Sequence, residues 1–275
     1  MANSATVSSS QPDPKTSNNS VTFDTVQVFA APTAAPVTPR YLYWGDGDTL
    51  YRIRVDVAGS KETVVGYPWA IPGQLIKGVV VDPVNNRVYW TSQPSSSSSS
   101  TGYIRRANLD GSGLTTIYTD TAAPWPTYLA INPATSQLFF THGGDSNGDA
   151  IKRVNLNGGG EATVVSGIPT PKGLAVNALR GELYWSDANA RLLRAALDGS
   201  GQQPIASDLY AYDLAVDPYA DRIYFRSPND RSIYRIQRNG DGLNTVILGT
   251  GARGPALDVA YNKLYWVDFA TVRWV

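Results

Sequence analysis

No cysteine occurs among the 275 residues, and histidine occurs once. The first absence removes thiol nucleophiles, thiolate metal sites, disulfides and redox switching from consideration. The second excludes a multi-histidine metal site, and the lone His142 has no evident nucleophile partner. An excess of one charge is missing too. The 23 basic residues balance 23 acidic ones without any basic stretch, so sequence-independent nucleic-acid binding has little electrostatic support. No phosphate-binding glycine loop is present. No segment keeps a helical period, and membrane insertion is not expected. These absences leave an all-β chain.

What is there is a repeat. An aromatic pair recurs as Tyr43-Trp44, Tyr89-Trp90, Phe139-Phe140, Tyr184-Trp185, Tyr224-Phe225 and Tyr265-Trp266. A period of roughly 40–50 residues points to propellers or solenoids. Each full unit opens on an apolar run such as Gly78-Val79-Val80-Val81-Asp82-Pro83, followed by a polar turn and the aromatic strand. A third segment, such as Ile104-Arg105-Arg106-Ala107-Asn108-Leu109, leads into an Asx-Gly pair: Asp110-Gly111, Asn157-Gly158, Asp198-Gly199 or Asn239-Gly240. Asx-Gly predicts a tight hairpin of type I′. A β-branched run such as Thr115-Thr116-Ile117-Tyr118 closes the unit. Four short strands cannot close a core alone. Six such sheets packed radially bury the rings between neighbours, and each large aromatic contributes about 150–250 Å².

Tyr184-Trp185-Ser186-Asp187, Tyr265-Trp266-Val267-Asp268 and Tyr43-Trp44-Gly45-Asp46, with Leu192 to Gly199 downstream, resemble the YWTD repeat of the low-density-lipoprotein-receptor class. That resemblance covers about residues 40–275 and implies a six-bladed β-propeller of four-stranded blades. It also implies that the motif aspartate and a recurring arginine (Arg52, Arg106, Arg153, Arg194, Arg235, Arg273) are framework residues. Ser92, His142 and Ser227 replace the aspartate in three units, where the framework must be met differently.

The sixth unit ends after Thr271-Val272-Arg273-Trp274, without a fourth strand, while a β-like run at 21–29 precedes the first. The expectation is that this N-terminal run completes the last blade and that the innermost strand of the first comes from about 35–38. An open edge is otherwise an aggregation liability. Residues 1–20 read as a disordered tail and 21–275 as the propeller. The tail holds no apolar signal-peptide core, so a cytoplasmic location is expected. Asn18-Asn19-Ser20 spells a glycosylation sequon that this location would leave unused.

Once the repeat is subtracted, irregular loops remain. Ser95 to Ser100 reads as a linker-like loop. His142 to Asp149 carries Asp145, Asn147 and Asp149 at alternating positions, but no later acidic residue completes a calcium loop. The inter-blade connections carry Tyr67, Trp69, Trp125, Tyr210 and Tyr212, none of them part of the repeat. Proline-flanked rings are stiff, and aromatics beside carboxylates and guanidinium groups recognise sugars and peptides. The candidate ligand-binding set is therefore Tyr67, Trp69, Trp125, Tyr210, Tyr212, Asp145 and Asp149, with no cofactor and no metal. Asp82, Asp217 and Asp258 end inner strands. They read as turn caps, although six-bladed lactonases bind a metal near the channel. The leading function is non-catalytic recognition of a glycan (lectin-like) or a protein segment. A metal-dependent lactonase or hydrolase and a structural ring in a larger assembly are the alternatives.

Overall fold

The computed structural model describes residues 40–55, 61–66, 73–95, 101–121, 125–143, 149–249, 252–268 and 271–275. Tyr41–Val275 is one compact unit. It is built from six antiparallel sheets, each an up-and-down meander. The first comprises β1 (Tyr41–Asp46), β2 (Thr49–Arg54) and β3 (Glu62–Val65). The second comprises β4 (Gln74–Asp82), β5 (Arg87–Pro94), β6 (Gly102–Asn108) and β7 (Thr115–Asp120). The third comprises β8 (Trp125–Asn132), β9 (Gln137–Gly143), β10 (Asp149–Asn155) and β11 (Ala162–Ile168). The fourth comprises β12 (Gly173–Asn177), β13 (Glu182–Ser186), β14 (Leu192–Ala196) and β15 (Gln203–Ala206). The fifth comprises β16 (Tyr212–Asp217), β17 (Arg222–Arg226), β18 (Ile233–Gln237) and β19 (Asn244–Ile247). The sixth comprises β20 (Ala252–Asp258), β21 (Lys263–Asp268) and β22 (Thr271–Trp274). The inner strands pack in sequence, β4 on β8, β8 on β12, β12 on β16 and β16 on β20, while β1 packs on β4. This is the six-bladed β-propeller expected from the repeat.

Successive side chains on a strand point to opposite faces, so each aromatic pair acts as a two-sided wedge. Trp90 packs back on Leu50 and Val65 of the first blade. Its neighbour Tyr89 packs forward on Leu138 and Phe140 of the third. Phe139 and Trp185 meet between blades three and four, and Tyr184 and Phe225 between four and five. All these rings are buried. The framework arginine works in the same direction. Arg52 donates from Nη1 to the Leu109 carbonyl at 2.8 Å, and Arg106 donates to the Leu156 carbonyl at 2.9 Å, each into the hairpin of the following blade.

The hairpins differ from the type I′ expectation. Gly111, Gly158, Gly199 and Gly240 have φ between 86° and 95°, but no Asx before them has positive φ. Gly111 N–H donates to the Asn108 carbonyl at 2.8 Å, so Leu109 and Asp110 form the centre of a type I turn and the glycine follows in a G1 bulge. The Asp110 side chain accepts the Ser112 N–H at 2.9 Å, which keeps the aspartate in the turn. The glycine has a second role. A Cβ on Gly199 would stand 2.0 Å from the Val164 carbonyl oxygen of the preceding blade.

The motif aspartate also has a visible purpose. Asp187 accepts backbone N–H groups from Asn189 and Arg191 and the Arg191 guanidinium, closing its own loop. Where His142 replaces it, Nε2 lies 2.6 Å from Asp120 on β7, so the tie runs to the preceding blade instead.

The first and last blades hold three strands among the described residues. Tyr43-Trp44 lies on β1, so β1 corresponds to the second strand of the other blades. The expected closure by residues 21–29, and the inner strand from 35–38, lie outside the described residues.

Candidate functional site

The inner strands begin, and the second strands end, at the same mouth of the central channel. Their opening residues align as Lys77-Gly78, Thr127-Tyr128, Lys172-Gly173, Tyr212-Asp213 and Arg253-Gly254. In blades two, three, five and six the ladder shifts register beside these residues. Such bulges re-aim side chains out of a sheet.

The repeat places a hydroxyl opposite the bulge. Thr91 Oγ1 accepts from Gly78 N–H at 2.9 Å and donates to the Thr127 carbonyl of the next blade at 2.8 Å. Thr141 Oγ1 accepts from Tyr128 N–H at 3.0 Å, and the Ser186 hydroxyl donates to the Ala211 carbonyl. Glycine at this position, bulged or not, keeps neighbouring blades close. A Cβ on Gly78 would stand 2.5 Å from the Thr127 carbonyl oxygen, and one on Gly173 would stand 2.8 Å from Leu214 Cγ.

Blade five breaks both rules together. Asp213 stands where three blades have glycine and adopts a left-handed φ of 53°, shared among those glycines by Gly254 alone, a conformation that costs a non-glycine residue free energy. Arg226 stands where the hydroxyl belongs. Its Nε donates to Asp213 Oδ2 at 2.8 Å, and both side chains keep about a fifth of their surface open to solvent. The Arg226 guanidinium lies 5.2 Å from the Tyr212 ring centroid, and Lys172 Nζ lies 5.9 Å from the same ring. Both separations are within cation–π range.

Blade three makes the other departure, Tyr128 in place of glycine. Burial raises the pKa of its phenol well above the ordinary value, and the Asp213 charge adds to this while Arg226 opposes it. Tyr128 therefore remains a neutral hydroxyl at physiological pH. Tyr128 and Asp213 belong to the inner strands on either side of β12, with Gly173 between them. One carboxylate, one guanidinium, one ammonium and two phenols thus converge where the repeat would place glycines and hydroxyls. This set offers donors, an acceptor and an aromatic face to a polar ligand. It contains no nucleophile paired with a general base.

Of the residues anticipated from sequence, Tyr212 lies in this cluster. Tyr210 is 46% exposed on the connection leading to it. Trp125 opens β8. Asp149 opens β10 and is only 6% exposed, beside Gly143. Tyr67, Trp69 and Asp145 lie outside the described residues, as does most of the serine loop. The loop at 144–148 does spell Gly-Asp-Ser-Asn-Gly, the spacing of a hydrolase nucleophile elbow. That elbow requires a strand-to-helix turn; residues 144–148 lie outside the described residues, and the described elements on either side, β9 and β10, are strands of one antiparallel pair. Lys172, Asp213, Arg226 and Tyr128 escaped the sequence reading. The signal was present: aligning the inner strands on the ladder to the aromatic pair puts Tyr128 and Asp213 in register with Gly78, Gly173 and Gly254. Aligning the residue after each aromatic pair shows Arg226 as the one charged residue among Gly45, Thr91, Thr141, Ser186 and Val267.

The channel carboxylates sit at the opposite end. Asp82 accepts from the Asn85 amide at 2.7 Å, and Asp217 accepts the N–H groups of Tyr219 and Ala220, each at 3.0 Å. Asp258 accepts the Tyr261 N–H at 3.3 Å. They cap turns. Among the described residues, no group of three or more His, Asp or Glu side chains is placed to hold a metal ion.

No protein-family model matches the chain. It is 27% identical over 234 residues to the vitellogenin receptor Yl of Drosophila melanogaster, covering 81% of this chain and 11% of the receptor. In fold it is similar to a chain of the nidogen/laminin complex, with a TM-score of 0.70, 20% identity, and coverage of 86% of this chain and 88% of that one. The chain is a YWTD-type β-propeller. A gluconolactonase of Xanthomonas campestris shares the fold with a TM-score of 0.64 at 17% identity, covering 86% of this chain and 81% of that one. The YWTD propeller thus spans about a tenth of the length of its receptor relative. The cytoplasmic location expected from the polar N-terminus is overturned by that relationship, because the relative is a receptor. An N-terminus read in isolation says little about a propeller that matches one part of a longer protein.

Proposed function

We propose that this YWTD propeller is a non-catalytic protein-binding domain whose ligand, a polypeptide segment, seats at the channel mouth on Tyr212, Asp213, Arg226, Lys172 and Tyr128. The observation that carries this reading is the paired departure in blade five. A strained aspartate and an arginine replace a glycine and a hydroxyl that serve blade packing elsewhere, and each is the other's partner. Strain retained without a packing gain is characteristic of binding sites. The similarity to a receptor supports a protein ligand over a glycan.

The test restores the repeat. Asp213→Gly with Arg226→Ser recreates the glycine–serine pair found in blade four, so the fold is expected to survive. A peptide array and a glycan array are probed with both proteins. Peptide signals lost in the double variant, with Tm unchanged, support the reading. Glycan signals lost in the same variant, with no peptide signal, make the site lectin-like and sink it.

A further inference from the structure

The far end of the channel carries the turns from inner to second strands, five of which are described. Four of the five carry a side-chain cap: besides the aspartates at 82, 217 and 258, Asn177 Oδ1 accepts the Arg180 N–H at 3.2 Å, while Asn132 in the third turn makes no such cap. Four of the tips carry one large exposed apolar side chain each, among exposed polar neighbours such as Asn85, Asn86 and Asn262. Val84, Leu179 and Tyr219 hold the same place, two residues after the cap, and are 85%, 64% and 77% exposed. Tyr261 in the sixth blade is 56% exposed. Exposed large apolar side chains scattered singly need no explanation, but a set clustered on one end of a molecule marks an interaction surface.

The charges on this ring are one-sided. Every acidic side chain in the five turns is buried or half-buried. Asp221 pairs with Arg180. Arg222, at the start of β17, is exposed and forms no ion pair among the described residues. The exposed acids at this end among the described residues (Asp110, Glu161, Asp198, Asp241) stand on the outer hairpins. Arg87 and Lys263 open β5 and β21 at the place equivalent to Arg222 and also form no ion pair among the described residues, so the surface combines apolar tips with uncompensated cations, of which Arg222 is the exposed one, inside an acidic rim. An extended anionic surface such as a membrane meets that rim, whereas a single narrow segment fits within it.

We propose that this ring is a second interaction surface, independent of the channel mouth, and that it takes an acidic amphipathic polypeptide segment. Apolar side chains of the segment pack on Leu179 and Tyr219, and one of its carboxylates pairs with Arg222. Turns held by side-chain caps have less freedom to lose on binding, and aromatic residues and arginine are the side chains most often dominant in interfaces.

The probe is a fluorescent 12-residue peptide with leucine and phenylalanine on one side and glutamate on the other, compared with its lysine-for-glutamate counterpart. Anisotropy is measured against the full chain. The acidic peptide is expected to bind and the lysine peptide not to. Arg222→Glu, and separately Leu179→Ser with Tyr219→Ser, should each weaken binding about tenfold or more at unchanged Tm. The Asp213→Gly/Arg226→Ser protein should bind as the parent does, which separates this surface from the channel mouth. The proposal is overturned by equal binding of the two peptides, by variants that bind as the parent does, or by no binding up to about 1 mM. Capture by phosphatidylserine vesicles in place of the peptide, lost on Arg222→Glu, would reassign the surface to lipid.

Discussion

Arg226 and Asp213 are bound to each other at 2.8 Å, and neither is the residue that its place in the repeat holds elsewhere. The pair is half-buried, so its net worth is modest, roughly 0.5–1 kcal/mol in a double-mutant cycle. The backbone adds a separate effect. Asp213→Gly removes the left-handed strain and Asp213→Ala keeps it, so the glycine variant should be the more stable by about 1 kcal/mol. Urea denaturation of the two variants checks this. An alanine variant as stable as the glycine one would show that the strain is absent.

Glu182 gives the fold a pH-dependent tie. Its carboxylate accepts from the Arg238 guanidinium of blade five at 2.7 Å and from Arg194 at 2.9 Å. Hydrogen bonding from Arg238 is the main cause that lowers its pKa from 4.5 to about 2, with Tyr184 and Arg194 assisting against the cost of burial. A depressed folded pKa contributes stability that is present above the unfolded value and lost as pH falls through the folded one. Tm should therefore decline between about pH 4.5 and 2, and Glu182→Gln should remove that part of the decline. A parallel pH profile for the variant would refute the assignment.

Two glycines with positive φ separate conformation from packing. Gly201 has φ of 64° and open space around its Cβ position, so Gly201→Ala should cost about 1 kcal/mol. Gly199 has φ of 86° and a backbone oxygen of the neighbouring blade where a Cβ would go. Gly199→Ala must displace one blade from another and should cost several times as much. Equal Tm losses would mean that the blades are free to part.

The sixth blade ends on β22, with no fourth strand among the described residues. If the run at 21–29 supplies that strand, removing residues 1–30 should lower Tm well below that of a chain lacking only 1–19. Matching melting curves would exclude this closure.

The wedge of paired aromatics was legible from the recurring spacing, and the framework arginine from the resemblance to the YWTD repeat; Arg52 and Arg106 reach into the next blade, whereas Arg194 pairs with Glu182 and Gln203 of its own blade. The hairpin type was not legible. Asx-Gly is compatible with a type I′ turn or with a type I turn followed by a bulge, and the packing of each turn on the preceding blade accompanies the second. The stiff aromatics of the connections drew attention in the sequence because they stand outside the repeat. Asp213 and Arg226 hid inside it, thirteen positions apart on neighbouring strands, each reading as a minor irregularity.

By itself, then, the sequence determined how many blades there are, which rings fill the gaps between them and which residues are framework, since burial of a periodic apolar pattern leaves little choice. Only the tertiary structure decided where the irregularities meet. It brought Tyr128, Lys172, Tyr212, Asp213 and Arg226 to one channel mouth and Val84, Leu179, Tyr219 and Tyr261 to the other end. The reason is geometric: a ring of sheets gathers equivalent positions of distant repeats around one axis, a proximity that distance along the chain does not report.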